Sequence, residues 1–194
     1  MGRNHMSKKL IIILILIAAL MIGGASLFGE SNQKETKTPE PLAAMVGQPA
    51  PEFSLMSYDG NLFNLSQQKG KKVVLFFNEG IMCYPACWNQ MAALPELNSD
   101  MVVTASIVTD TADEWKQAVA KMPELGKGMI LLDTDKQVSR QYDMLTLPSS
   151  MHRGSQPGHT YLILDKDGIV RYTFDDAKMG IQNDVLKNEL AKLQ

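Results

Sequence analysis

The hydrophobic pattern of the chain changes character twice. Leu10 to Gly29 is an unbroken uncharged run dominated by Leu, Ile, Ala and Met. About 20 such residues span a hydrocarbon core of roughly 30 Å as a helix. Arg3, Lys8 and Lys9 precede the run, which predicts a cytoplasmic N-terminus over residues 1–9 and an extracytoplasmic location for everything beyond the anchor. A signal peptide cut near Gly24-Ala25-Ser26 is the alternative. With no cysteine in this region, a lipid-modified N-terminus is not expected. Residues 30–45, polar and charged at first and carrying Pro39 and Pro41, read as a flexible linker that lifts a domain off the membrane.

From residue 46 the pattern is that of a folded domain reaching residue 194. Phe53–Met56 and Leu62–Leu65 flank the turn pair Asp59-Gly60 and predict a hairpin. Val73–Phe77 is apolar on both alternating faces, as a central strand buried on both sides must be. Pro85 opens a helix through Leu94, since proline suits the first helical turn. Met101–Val108 is a second buried strand, and Thr111 and Glu114 have capping-box spacing ahead of a helix carrying Trp115, Ala118 and Val119. A third strand is expected at Met129–Leu132, with a short helix near Val138–Tyr142. Tyr161–Leu164 and Ile169–Phe174 form a second hairpin around Asp165–Gly168, and Ile181–Leu193 is an amphipathic helix. Strands alternating with helices predict an α/β domain, a central mixed sheet flanked by helices with an N-terminal hairpin. Active residues in such sheets gather where a central strand hands over to a helix.

Charge and composition narrow the function. The net charge is -2 and no basic run with interleaved aromatics occurs, which argues against nucleic acid as a partner. The chain has two cysteines, Cys83 and Cys87, both at the strand-to-helix junction. Closing so short a loop removes little unfolded-state entropy, so chemistry explains the pair better than stapling does. Pro85 pushes Tyr84 out of helical geometry. Cys83 is therefore expected just before the helix and Cys87 within its first turn, their Cα atoms close enough for a disulfide. The helix N-terminus favours thiolate. Cys83 is the better attacking thiol and Cys87 the better resolving one. Glu79 is a proton-acceptor candidate beside the thiols, although loop carboxylates are more often exposed. His152 and Arg153 read as solvated, Tyr84 and Trp88 as the rim of the site, and most of the 13 methionines as core fillers.

Several segments resemble the alkyl-hydroperoxide-reductase/thiol-specific-antioxidant family of thioredoxin-like proteins: Val46-Gly47-Gln48-Pro49-Ala50-Pro51-Glu52-Phe53, Lys69-Gly70-Lys71-Lys72-Val73-Val74-Leu75-Phe76-Phe77, and Tyr161-Leu162-Ile163-Leu164-Asp165-Lys166-Asp167-Gly168. The resemblance implies a thioredoxin-like fold over residues 46–194. Within it, peroxiredoxins place a proline and a Thr or Ser seven and three residues before the reactive cysteine. Those positions hold Gly80 and Tyr84 ahead of Cys87, and Phe76 and Gly80 ahead of Cys83, so the standard peroxidase motif is missing. Membrane-tethered reductases of cytochrome maturation have a closer cysteine spacing and a proline where His159 stands here; a histidine facing the pair could aid proton transfer. Sco-type copper-delivery proteins share the Cys-x-x-x-Cys spacing, and Cys83, Cys87 and His159 would form a soft Cys₂His copper site by that likeness.

The resulting expectation is a membrane-anchored, extracytoplasmic thiol–disulfide oxidoreductase that cycles Cys83 and Cys87, with peroxide reduction as a further activity. Pro85, Glu79 and His159 support the pair. Its partners are extracytoplasmic protein thiols or disulfides and an electron donor. No cofactor is expected. The alternative is a copper metallochaperone using Cys83, Cys87 and His159.

Overall fold

The computed structural model describes residues 39–193. The expected cytoplasmic N-terminus, membrane anchor and first part of the linker lie outside them. Among the described residues, no helix is long and apolar enough to cross a membrane.

The chain enters through a short helix, α1 (Glu40–Met45), and a hairpin, β1 (Ser54–Met56) and β2 (Leu62–Asn64). Then follow β3 (Lys72–Phe77), α2 (Ala86–Ala93), β4 (Val102–Val108), α3 (Ala112–Lys121), β5 (Met129–Leu132), α4 (Gln137–Gln141), β6 (Thr160–Leu164), β7 (Val170–Asp175) and α5 (Asn183–Ala191). Five strands form one mixed sheet in the order β5-β4-β3-β6-β7. β3 runs parallel to β4, and β4 to β5, through helical crossovers; β6 and β7 run antiparallel. The elements expected from residue 46 onward are all present, most ending within a residue or two of their predicted limits.

Alternation along β3 divides the interior in two. Val73, Leu75 and Phe77 face a core shared with Leu42 of α1, Phe63 of β2 and Val138 of α4. Val74 and Phe76 face a core shared with Trp88 and Met91 of α2, Trp115 of α3 and Leu186 of α5. Burying each such side chain contributes about 1.5–3 kcal/mol before entropy is counted. The central strand is therefore held from both faces, and the loop leaving its C-terminal end starts from a rigid base. Thr111 caps α3 as a full capping box: its hydroxyl accepts from Glu114 N, and its N–H donates to Glu114 Oε2 at 2.8 Å.

One expectation needs correction. Residues 40–45, read as the end of the linker, form α1, and Leu42 is fully buried. Pro41 lies in the first turn, where its missing N–H costs nothing, and the apolar Leu42 supplies the anchoring contact. The Leu42 carbonyl also accepts from Thr173 Oγ1 of β7 at 3.3 Å.

Candidate active site

The site is built where β3 ends. Asn78, fully buried, ties the turn back to the strand: Nδ2 donates to the Phe76 carbonyl at 3.3 Å, and Oδ1 accepts from Gly80 N at 2.9 Å. Gly80 sits at φ +65°, and a Cβ there would collide with the Asp110 carboxylate. Only glycine meets both conditions without strain. Asp110 Oδ2 in turn accepts from Ile81 N at 3.1 Å, and burial raises the Asp110 pKa above the ordinary carboxylate range. A 3-10 turn, Gly80–Cys83, follows. Tyr84 is extended at φ −77°, ψ 138°, and α2 begins after Pro85, so Cys83 precedes the helix and Cys87 lies in its first turn, as the proline predicted. The Tyr84–Pro85 peptide is cis.

Cys83 and Cys87 are joined in a disulfide, with Cα atoms 5.3 Å apart. Cys87 is fully buried and Cys83 is 3% exposed. The rim is more open: Met82 and Tyr84, on either side of Cys83, are 59% and 69% exposed. Tyr84 packs edge-on against Trp88, and the two line a cleft with Lys121 and Met122.

His159 comes from the other side of the sheet's midline. β6 runs antiparallel to β3, with Thr160 opposite Phe77, so the residue just before β6 lies beside the end of β3. That register, rather than proximity in sequence, brings His159 to the cysteines. Its Nδ1 is 3.6 Å from Cys87 Sγ, and its Nε2 is 2.7 Å from the Tyr161 hydroxyl. The ring stands edge-on to Phe76, on which Tyr161 stacks. Burial pushes the His159 pKa down to about 4, against the opposing influence of the Asp176 charge and the Gly180 backbone. The imidazole is thus neutral at physiological pH. The two sulfurs and one ring nitrogen lie within 4.8 Å of one another. The structure thus places His159 fully buried and facing the cysteine pair.

Glu79, the proton-acceptor candidate, is buried rather than exposed as loop carboxylates more often are. It is 1% exposed, and its Oε1 accepts from Ser150 Oγ at 3.0 Å, Met151 N at 2.6 Å and His152 N at 3.0 Å. Its carboxylate clamps the 150–152 loop instead of standing free in solvent. The physical reason is position: two residues past a fully buried strand, the side chain must either unfold the turn or find donors inside. His152, expected to be solvated, keeps a side chain that is 40% exposed while its ring approaches Glu79. Its Nδ1 lies 3.3 Å from Glu79 Oε2, within ion-pair range but not aligned as a hydrogen bond. Arg153 is exposed, its guanidinium donating to the Pro148 carbonyl at 2.9 Å.

Three participants escape sequence reasoning. Asn78 and Asp110 leave no local signal, because their partners are set by the strand junction. Tyr161 does leave one: it stands two residues after His159, and alternate strand residues share a face.

A family model described as Redoxin matches residues 45–190, and the chain belongs to that family. It is 32% identical over 150 residues to peroxiredoxin Bcp of Escherichia coli strain K12, covering 75% of this chain and 94% of that protein. It is 29% identical over 174 residues to thiol-disulfide oxidoreductase ResA of Bacillus thuringiensis subsp. konkukian, covering 88% and 87% of the two chains. The fold also resembles that of peroxidoxin BcpB from Mycobacterium tuberculosis, with a TM-score of 0.63 at 19% identity over 77% of this chain and 98% of that one. The likeness to the antioxidant and thioredoxin-like families read from residues 46–77 and 161–168 is thereby borne out. The protein is a redoxin-family, thioredoxin-like oxidoreductase with a Cys83–Cys87 disulfide.

Proposed function

We propose that this protein is a membrane-anchored, extracytoplasmic thiol–disulfide oxidoreductase, with Cys83 as the attacking and Cys87 as the resolving thiol. The observation that carries the reading is the Cys83–Cys87 disulfide at the β3–α2 junction, with His159 Nδ1 3.6 Å from Cys87 Sγ. The names of the relatives, peroxiredoxin and thiol-disulfide oxidoreductase, point the same way.

In the reducing direction the Cys83 thiolate attacks one sulfur of a client disulfide. A Cys83–client disulfide forms, and the second client sulfur leaves as thiolate and takes a proton. Cys87 then attacks Cys83 Sγ while its proton passes to Nδ1 of neutral His159. The protein disulfide closes, and the remaining client sulfur leaves and is protonated. Two electrons move from the protein to the client, and an external dithiol donor restores the reduced pair by the same exchange. Peroxide enters the same cycle: the Cys83 thiolate attacks one peroxide oxygen, the O–O bond breaks, hydroxide leaves and is protonated to water, and the sulfenic acid formed on Cys83 is attacked by Cys87, which expels its oxygen as a second water and closes the same disulfide. The rim of Met82, Tyr84 and Trp88 supplies apolar surface for a client beside an otherwise enclosed Cys83. The apolar run over residues 10–29, with Arg3, Lys8 and Lys9 before it, supports the anchor and its orientation.

The test uses the reduced full chain. Reduction of a protein disulfide, lost in Cys83→Ser and stalled as a mixed disulfide in Cys87→Ser, is the expected result. Hydrogen peroxide consumption with the same dependence would add the peroxidase activity. Absence of exchange, together with stoichiometric Cu(I) binding lost in His159→Ala, would overturn the redox reading in favour of copper delivery. An alkaline phosphatase fused after residue 45 is expected to be active outside the cytoplasm; activity confined to the cytoplasm would overturn the location.

A further inference from the structure

Tyr161 is fully buried, yet carries a polar atom into the apolar core on the α2 side of the sheet. Its ring stacks on Phe76 at 4.6 Å and 11° and on Phe174 at 6.2 Å and 14°. A phenylalanine would make the same stacks without desolvating a hydroxyl. The hydroxyl's hydrogen-bond partner among the described residues is His159 Nε2, at 2.7 Å. On its far side the same imidazole presents Nδ1 to Cys87 Sγ at 3.6 Å. The groups facing the ring are thus Phe76 from β3, Cys87 from α2, Tyr161 from β6, and, from the segment after β7, the charge of Asp176 and the backbone of Gly180.

A neutral imidazole has one N–H and one lone pair, and the hydrogen bond at one nitrogen decides what the other can do. For His159 to take the Cys87 proton, Nδ1 must carry the lone pair and Nε2 the hydrogen. That hydrogen needs an acceptor inside a pocket closed to water, and the phenol oxygen is placed to be one.

We propose that Tyr161 is a positioning residue for the resolving step: its hydroxyl oxygen accepts the Nε2 hydrogen of His159, holding the ring with the Nδ1 lone pair toward the Cys87 thiol. The proposal rests on the redox reading of the cysteine pair and deepens it. When Cys87 attacks the Cys83 mixed disulfide, its proton moves to Nδ1, the Cys83–Cys87 bond forms, and the client sulfur departs with the electron pair. The Tyr161 oxygen keeps its hydrogen bond throughout, now to an imidazolium, where such a bond is stronger than between neutral partners. Tyr161 itself transfers nothing.

The probe is 5,5′-dithiobis(2-nitrobenzoate) added to the reduced full chain. Its first released thiolate reports Cys83 attack, and its second reports resolution by Cys87. Tyr161→Phe is expected to slow the second release about tenfold or more, the cost of losing one hydrogen bond to a charged group. The first release is expected to stay unchanged. In a His159→Ala background, adding Tyr161→Phe is expected to change the second release no further, because the tyrosine acts through the histidine. Equal slowing of both releases, an unchanged second release, or additive effects would overturn the proposal. A native chain that releases only the first thiolate would instead overturn the redox reading beneath it. An independent measurement needs no variant: ¹⁵N shifts of the His159 ring in the reduced protein are expected to show hydrogen on Nε2 and none on Nδ1. The opposite tautomer would overturn the proposal even if Tyr161→Phe failed to fold.

Discussion

The two ends of one disulfide are both buried, Cys83 3% and Cys87 0% exposed, but they keep different neighbours. Cys83 lies on a turn whose neighbours Met82 and Tyr84 reach into solvent, and the start of that turn is held by carboxylates: Glu79 on the 150–152 loop and Asp110 on Ile81 N. Cys87 lies in a helix, fully buried against His159, with Tyr161 and Phe76 behind the ring. Both sulfurs are thus nearly closed to water, but the neighbours of one reach solvent while the partner of the other lies inside the core. The difference teaches a division of labour. In the proposed cycle encounter falls to the turn, and proton handling to the helix and the β6 register.

The sharpest way to break this comparison is to exchange the roles of the cysteines. Cys83→Ser is expected to abolish disulfide exchange, whereas Cys87→Ser still attacks and accumulates a covalent client adduct. Mass spectrometry of protein trapped with a disulfide substrate reads the difference, and adducts on Cys87 in the Cys83→Ser protein would reverse the assignment.

A smaller effect falls on one end only. His159→Ala is expected to slow the resolving step about a hundredfold, at the low end of what proton transfer to a positioned side chain contributes. Attack by Cys83 should be nearly unaffected in the same stopped-flow record. Equal losses in both steps would erase the distinction between the two ends.

The Cys87 end is also expected to be the pH-sensitive one for stability. The His159 pKa is lowered from 6.5 to about 4 by burial. Between those values the unfolded chain binds more protons than the folded one, so stability rises with pH. Its contribution is present above about pH 6.5 and is lost as pH falls toward about 4, on the order of 3 kcal/mol in full. Denaturant titrations from pH 7 to pH 4 check it; in His159→Ala that slope should flatten, and an unchanged slope would assign the acid sensitivity elsewhere.

The smallest effect tests the outer end. Glu79→Ala takes the acceptor from the Met151 N–H, while Ser150 Oγ keeps the Gln156 carbonyl and the His152 N–H keeps Ser150 Oγ. A loss of about 1–3 kcal/mol is expected, the cost of one unsatisfied buried site, because water can reach part of the loop. Hydrogen exchange at residues 151 and 152 should accelerate while the amides of β6 stay protected. Acceleration in β6 would mean that the clamp supports both ends of the disulfide.

Local pattern was enough for much of this architecture. The doubly apolar run Val73–Phe77 could only be a strand covered on both faces, Asp59-Gly60 required a turn, and Thr111 with Glu114 required a helix start. Pro85 alone separated Cys83 from Cys87 across the helix boundary. Each of these depends on neighbours within a few residues, where backbone sterics and periodicity act. Leu42 was harder to place, because a single turn of helix after a polar stretch carries too little periodicity to distinguish it from linker.

What the sequence by itself determined is the α/β domain with its central mixed sheet, the cysteine pair and its place at a strand-to-helix junction, since these follow from local geometry and short-range spacing, while its family resemblance implied the thioredoxin-like fold. What only the tertiary structure decided is the company the pair keeps. Phe77 opposite Thr160 is a register between strands more than eighty residues apart, and that register puts His159 on Cys87 and Tyr161 on His159. Glu79 and Asp110 are likewise defined by donors from distant loops and turns. The physical reason is that a buried polar group takes its role from whichever partner satisfies it, and that partner is chosen by packing across the sheet.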